Sequence, residues 1–328
     1  MPEYPTTSRA AACAAACTLL AWPAAGWSQT SFPDKPIRII VGFPPGGATD
    51  ILARDIAQRF ATKWGQPTVV DNRPGANGNI GAEQVARSKP DGHTLLVAPA
   101  NIAISATLFR KLGYDATRDL APVSMLATGP YLIVVPNALP VRTLRELVAL
   151  ARARPDQLTM ASSGTGSPGH LAGERLQAAV GIRMTHVPYK GQTPALTDLI
   201  GGQVSVFFAS APVAAPFLAS KRLKALAVTT AARIPILPDV PTVAESGFPG
   251  FSVGAWHGAF APGGTAAEII AKLNEELGTF LRSTEVKKNY AQQGLELVPS
   301  TPEEFGRFVR AEIAVYEKVI RNLRLDQE

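Results

Sequence analysis

The stretch IRIIVGFPPGGATDILARDIAQRF, residues 37–60, decides how the chain is read. Ile37, Ile39, Ile40 and Val41 make a short apolar, β-branched run, the pattern of a strand buried on both faces. Pro44, Pro45, Gly46 and Gly47 break it, and Thr49 and Asp50 are residue types that cap helices. Leu52, Ile56 and Phe60 then recur at every fourth position and share one helix face. The stretch therefore predicts a strand, a sharp turn and a helix. The first turn of a helix presents unpaired N–H groups and partial positive charge. Glycines just ahead of it let a ligand approach the backbone. Such a turn binds an anion with no need of Lys or Arg, although alone it is also what any βα connection looks like.

A second copy of the device lies more than a hundred residues on. Leu158, Met160 and Ala161 end a strand, and Ser162, Ser163, Gly164, Thr165, Gly166, Ser167, Pro168 and Gly169 follow. Leu171, Ala172, Leu176 and Val180 mark a helix face, with Gly181 as its stop. Facing each other across a cleft, the two glycine-rich helix starts would hold one small anion between them.

The rest of the chain repeats the α/β theme. Thr68–Val70 and Thr94–Val97 read as strands with a short helix, Ile80–Ala86, between them, which gives a βαβαβ unit and a parallel sheet. Ala98–Asn101 exits the third strand at the sheet edge where ligands bind in such folds. Pro122–Pro136 is expected to hold two strands with a crossover between them. Met184–Tyr189, Val204–Phe208 and Leu223–Thr229 are further strands, a helix starts at Thr193-Pro194, and Phe251–Pro262 is a strand returning to the first half. Thr143/Glu146, Thr265/Glu268 and Thr301/Glu304 have the spacing of capping boxes.

The 328 residues, 46% hydrophobic and 18% charged, are ordinary globular composition and suit two domains. The net charge of +6 is scattered, with no basic run and no zinc-finger spacing, so nucleic-acid binding has no support. Arg9, the apolar run Ala10–Ala21 and the small residues Ala24, Ala25, Gly26 and Ser28 read as a secretory signal with cleavage near Ser28. The run is short of the ~20 residues a membrane span needs. Cys13 and Cys17 both fall inside it, so the mature chain is expected to lack disulfides and thiol chemistry. The product is expected to be soluble and periplasmic.

Enzyme and cofactor motifs fail in detail. Gly164-x-Gly166-x-x-Gly169 matches a dinucleotide turn, but Met184–Tyr189 carries no acidic residue at the next strand's end. Ser163 or Ser167 with His170 would need an elbow glycine where Thr165 stands, and no orienting carboxylate can be named. His93, His170, His186 and His257 are too widely spread for a zinc site. Lys190 is a loop lysine of the commoner exposed kind, and Phe43 and Trp256 are pocket candidates that are more often core.

Several stretches in order resemble the Bug-type substrate-binding receptors of tripartite tricarboxylate transporters. They are Phe43–Asp50, Asn72–Gly75, Ala161–Gly164 through His170–Glu174, Val187–Gly191, and Ala261-Pro262 with Gly264-Thr265. The resemblance implies an α/β, two-lobed periplasmic binding protein of the Venus-flytrap kind, each lobe a parallel-rich sheet flanked by helices. It implies a first lobe from residues 29–127 and 254–328, a second from 128–253, and a signal peptide over 1–28. It further implies ligand contacts from Phe43, Gly47, Ala48, Thr49, Asp50 and Asn101, and from Ser163, Gly164, Thr165, Gly166, Ser167, His170 and Tyr189. No catalytic residue, metal or cofactor is expected. The partners expected are a small organic carboxylate and membrane transporter subunits, with the receptor itself a monomer. Ser205 and Ala209 stand where relatives often carry aspartates, so the ligand is expected to lack an amino group. An exported enzyme acting on a small carboxylate, or a sensor docking on a membrane kinase, fits the same residues.

Overall fold

The computed structural model describes residues 32–109, 111–323 and 325. The signal segment, with Cys13, Cys17 and the cleavage site near Ser28, lies outside the described residues. No helix among the described residues is long and apolar enough to cross a membrane.

The opening stretch folds as read, into β1 (Ile37–Val41) and α1 (Ala48–Trp64). The cap differs from the expectation. Gly47 is the N-cap, with extended backbone and no side-chain cap, and Thr49 and Asp50 lie inside the first turn. From there Asp50 reaches back, its Oδ2 accepting the Gly46 N–H at 3.0 Å. β2 (Thr68–Asn72), a single 3-10 turn (Ala76–Gly78), α2 (Asn79–Ala86), β3 (Thr94–Pro99) and α3 (Asn101–Leu108) follow. β2 and β3 flank β1, all parallel.

The segment expected to be two strands is one, β4 (Leu120–Pro136). Its register against a partner strand shifts between Pro122 and Ser124 and again between Met125 and Ala127. The bulges bend the strand without ending it, and so one strand serves two sheets. Its first part pairs with β9 (Gly254–Pro262) and β10 (Glu296–Leu297); its second part pairs with β7 (Val206–Ser210) and β8 (Leu223–Val228).

Between those passes run α4 (Leu144–Ala153), β5 (Thr159–Ser162), α5 (Pro168–Val180), β6 (Thr185–Pro188), α6 (Gln192–Ile200) and α7 (Ala211–Ala219). β5 is parallel to both β6 and β7, the second parallel unit. β9 returns to lie antiparallel to β3, and α8 (Ala267–Arg282), α9 (Thr284–Ala291) and α10 (Pro302–Leu323) close the chain. Both sheets bury apolar side chains on two faces, as parallel sheets must. Ile39, Val41 and Val97 pack under α1 and α8, and Ile40 and Leu96 pack on the other face toward Phe305 of α10. Met160 and Phe208 lie under α4 and α5, while Phe207 and Ala209 lie under α6 and α7.

One of the three capping boxes forms in full and a second by half, its Glu146 carboxylate accepting the Arg142 N–H instead of the Thr143 N–H. Thr301 and Glu304 bond reciprocally, at 2.9 and 3.2 Å. Thr143 Oγ1 accepts the Glu146 N–H at 3.2 Å. Thr265 instead donates its hydroxyl to Pro262 O at 2.7 Å, and α8 starts one residue later with Ala266 at the cap.

Candidate functional site

A cavity of about 40 Å³, partly open to solvent, lies where the chain crosses between its two sheets. Its lining gathers the starts of helices from both. Gly47, Ala48, Thr49 and Asp50 open α1; Pro168 and Gly169 open α5; Gln192 and Thr193 open α6; Ser210 caps α7. Strand residues complete the wall, namely Pro99 of β3, Tyr131 of β4, Phe208 of β7 and His257 of β9. Phe43 and Ser163 line it too.

The donors follow from helix geometry, because the first N–H groups of a helix have no internal acceptor. At α1 the Asp50 N–H is taken by Gly47 O at 3.0 Å, and the Gly46 N–H by the Asp50 carboxylate. The N–H groups of Ala48 and Thr49 find no acceptor among the described residues. At α5 the His170 N–H goes to the capping Ser167 Oγ at 3.3 Å, which leaves Gly169 as the free donor.

No Lys or Arg lines the cavity, and Asp50 is its one carboxylate. That carboxylate is spent. Arg54 donates to both its oxygens, Asn72 to Oδ1 at 2.9 Å and Gly46 to Oδ2. Burial pushes its proton affinity up, but the bonds from Arg54, Gly46 and Asn72 outweigh burial and hold it below its ordinary value. Asn72 also donates to Phe43 O at 2.9 Å, tying the β2 exit to the first glycine turn.

The second glycine turn is braced from below by two histidines. His170 Nδ1 accepts the Gly166 N–H at 3.1 Å, and His186 Nε2 lies 2.6 Å from Ser162 Oγ. The two rings stack with centroids 3.8 Å apart. Burial, and for His170 the neighbouring His186, lowers their pKa values to about 3 and about 4, so both are neutral at pH 7. Gly164 and Gly166 hold φ of +136° and +74°, conformations that favour glycine.

The expected contact residues thus fall into three groups. Phe43, Gly47, Ala48, Thr49, Asp50 and Ser163 line the cavity. Gly164, Thr165 and Tyr189, with Lys190, line an adjoining outer pocket of about 480 Å³ that shares Phe43, Pro44 and Ser163 with the cavity. Gly166, Ser167, His170, Asn101 and Ala209 support it from behind. Ser167 and His170 are buried within the turn, and Asn101 donates to Asn77 O at 2.8 Å. Ala209 faces the α6 side, because the alternation that buries Phe207 and Ala209 there turns Phe208 and Ser210 to the cavity. Ser205 is bonded to Thr159.

Gln192, Tyr131 and His257 were not singled out as contacts from the sequence. Gln192 follows Gly191, whose φ of +127° marks a third glycine-led helix start, so the Lys190-Gly191-Gln192 step carried a usable signal. Tyr131 and His257 sit on strands and carry none. Trp256, the neighbouring residue, faces away and donates to Glu312 at 2.9 Å.

The comparisons with known proteins identify the family and the fold. The family model described as "Tripartite tricarboxylate transporter family receptor" matches residues 52–325. Protein BugT of Bordetella pertussis is 38% identical over 91% of this chain and 92% of its own length. Among solved structures, R. palustris Rpa4515 with adipate superposes with a TM-score of 0.87 at 38% identity, covering 89% of this chain and 98% of that one. MatC from Rhodopseudomonas palustris, solved with malate, gives 0.84 at 35% identity, covering 88% and 100%. A chain matched over this span, with this two-lobed fold, belongs to the tripartite tricarboxylate transporter family of receptors.

Proposed function

We propose that the protein is an extracytoplasmic receptor that captures a small organic carboxylate without an amino group, for delivery to membrane transporter subunits. The observation that carries this reading is the convergence of unpaired helix-start N–H groups on a cavity lined by no Lys or Arg. Each helix end contributes only ~0.3–2 kcal/mol toward an anion, whereas micromolar binding needs about 8 kcal/mol. Hydrogen bonds and closure of the lobes supply the remainder. We place the lobes at residues 29–127 with 254–328, and at 128–253, so that the chain crosses once within β4 and once at the step into β9. The ligands of Rpa4515 and MatC, adipate and malate, are of the proposed class.

An ammonium group would find little here. The Asp50 carboxylate is fully bonded, and Gln192 Oε1 already accepts from the Ser210 N–H at 2.8 Å and the Ser210 hydroxyl at 3.0 Å. Desolvating a cation without a counter-charge is costly. Calorimetry of succinate against aspartate, and glutarate against glutamate, tests the reading. The acid lacking the amino group should bind more tightly in each pair, and native mass spectrometry should find a retained carboxylate. Tighter binding of either amino acid, or turnover of the bound acid, would overturn it.

A further inference from the structure

A second pocket, of about 540 Å³, lies on the far side of the crossing strands from the ligand cavity. Pro130 of β4 and Gly254 of β9 form its floor. Ile234 and Pro235 wall it from one half of the molecule, Leu295 and Leu297 from the other. Pocket and cavity stand back to back. Pro130 lines the pocket and Tyr131, the next residue of the same strand, lines the cavity, as strand alternation requires. Thr229, fully buried, ties the crossings together: its Oγ1 accepts the Tyr131 N–H at 2.9 Å and donates to Val253 O at 2.7 Å. A Cβ on Gly294, in the pocket wall, would come within 2.7 Å of Ala211 Cβ, and Ala211 follows Ser210 of the cavity. The pocket lining carries two cations, Arg233 and Lys287, against one carboxylate, Glu296. Arg233 is bonded to Glu245 at 2.8 Å, whereas the Lys287 ammonium makes no ion pair among the described residues.

We propose that this hinge-side pocket is a second ligand site, for an acid with an apolar body, and that filling it tightens binding in the cavity. Its volume lies in the range of small-molecule sites, roughly 300–1,000 Å³. The apolar walls take the body of such an acid, and Lys287 takes its anionic group. The coupling follows from the geometry of a hinge. In this structure the halves touch on the cavity side, through Asn77 to Gly166 O and Thr193 to Pro45 O. A rotation about the crossing strands that parts those contacts brings the walls on the opposite side together and shrinks the pocket. An occupant of the pocket therefore binds the closed arrangement better, and by linkage each ligand raises the affinity of the other by the same factor. The inference rests on the proposed carboxylate reading for the identity of the ligand in the cavity.

Fluorescence titration of the full mature chain with anilinonaphthalene sulfonate, an aromatic acid, and with phenylnaphthylamine, the same body without the sulfonate, tests the inference. The sulfonate should bind saturably and more tightly than the amine, and Lys287→Ala should erase the difference. Calorimetry should show adipate binding about fivefold or more tighter in saturating sulfonate, and the sulfonate strengthened by the same factor in saturating adipate. Ala291→Trp and Ala232→Trp, at exposed positions on opposite sides of the pocket, should exclude the sulfonate and themselves tighten adipate. Competition between sulfonate and adipate, adipate affinity unmoved by the sulfonate, equal binding of the two probes, or tryptophan variants that leave sulfonate binding unchanged would overturn the inference and leave the carboxylate reading standing. A wild type that binds the sulfonate but neither adipate nor succinate would instead remove the carboxylate reading, and the coupling with it.

Discussion

Glycines at the two turns act in different ways. Gly164 holds φ +136°, a conformation that costs an L side chain roughly 1–2 kcal/mol. Gly47 holds φ −82°, which any residue adopts, and an added Cβ there meets nothing within 4 Å. Because Gly47 lines the cavity, a larger side chain fills ligand space without straining the fold. We therefore expect Gly47→Val to weaken succinate or adipate binding by about tenfold or more (roughly 1.4 kcal/mol) at unchanged melting temperature. Gly164→Val should lower both binding and melting temperature. Lys190→Ala, in the outer pocket, should change affinity least; loss of binding in that variant with both glycine variants intact would reverse the assignment. The residues of the first turn were legible because glycine, proline and cap types have few other uses in that order. His257 was not legible: one histidine in an apolar strand looks like core, and only the assembled wall shows its unsatisfied nitrogen.

Among the elements, the second glycine turn has a built-in sensitivity to acid. His170 and His186 titrate near 6.5 when unfolded but near 3 and 4 in the fold, and His257 near 4. Between those values the unfolded chain binds protons that the native state refuses. Stability is therefore complete above pH 6.5 and falls as the pH drops from 6.5 toward 4, by up to about 1.4 kcal/mol per pH unit for each such proton. Denaturant titrations at pH 7, 6 and 5 should show this loss, and His170→Gln should flatten it; equal stability at all three values would refute it. Periodicity made most elements legible, since α1, α5 and the parallel strands declare themselves by spacing and by Gly181 at φ +64°. β4 was misread as two strands because Gly129 and Pro130 read as breakers, whereas here they sit paired to Ala255 and Gly254 in a strand that passes between sheets. The cap of α1 was misplaced by a few residues, since an acidic residue at the third helical position can reach back to serve the turn that a cap would serve.

At the scale of the whole molecule, two side chains join the halves beside the cavity, Asn77 and Thr193, the latter donating its hydroxyl to Pro45 O at 3.5 Å. Asn77 donates to Gly166 O at 2.9 Å, from a turn on the first sheet to the glycine turn on the second. Asn101 holds that turn from beneath, and Asn77 itself sits at φ +55°. Gly166 also packs so closely on Leu108 of α3 that a Cβ there would come within 2.1 Å of it. Asn77→Gly keeps the backbone conformation and removes the bond, worth about 1 kcal/mol. It should weaken succinate binding roughly fivefold, although Asn77 is no part of the cavity wall, and should shift solution X-ray scattering toward a more extended particle. Unchanged affinity and scattering would show that the bond does not help hold the halves together. The crossing strands have a consequence for how such receptors diversify. Gly129 pairs with Ala255 and Pro130 with Gly254, so the stretch between them enters and leaves the fold through neighbouring positions. Segments whose ends lie side by side can be inserted or exchanged with little disturbance to their host. The intervening stretch, with α5, α6, α7 and their donors, is thus expected to behave as a cassette that can be exchanged as one piece while the remainder of the fold keeps its own sheet and core.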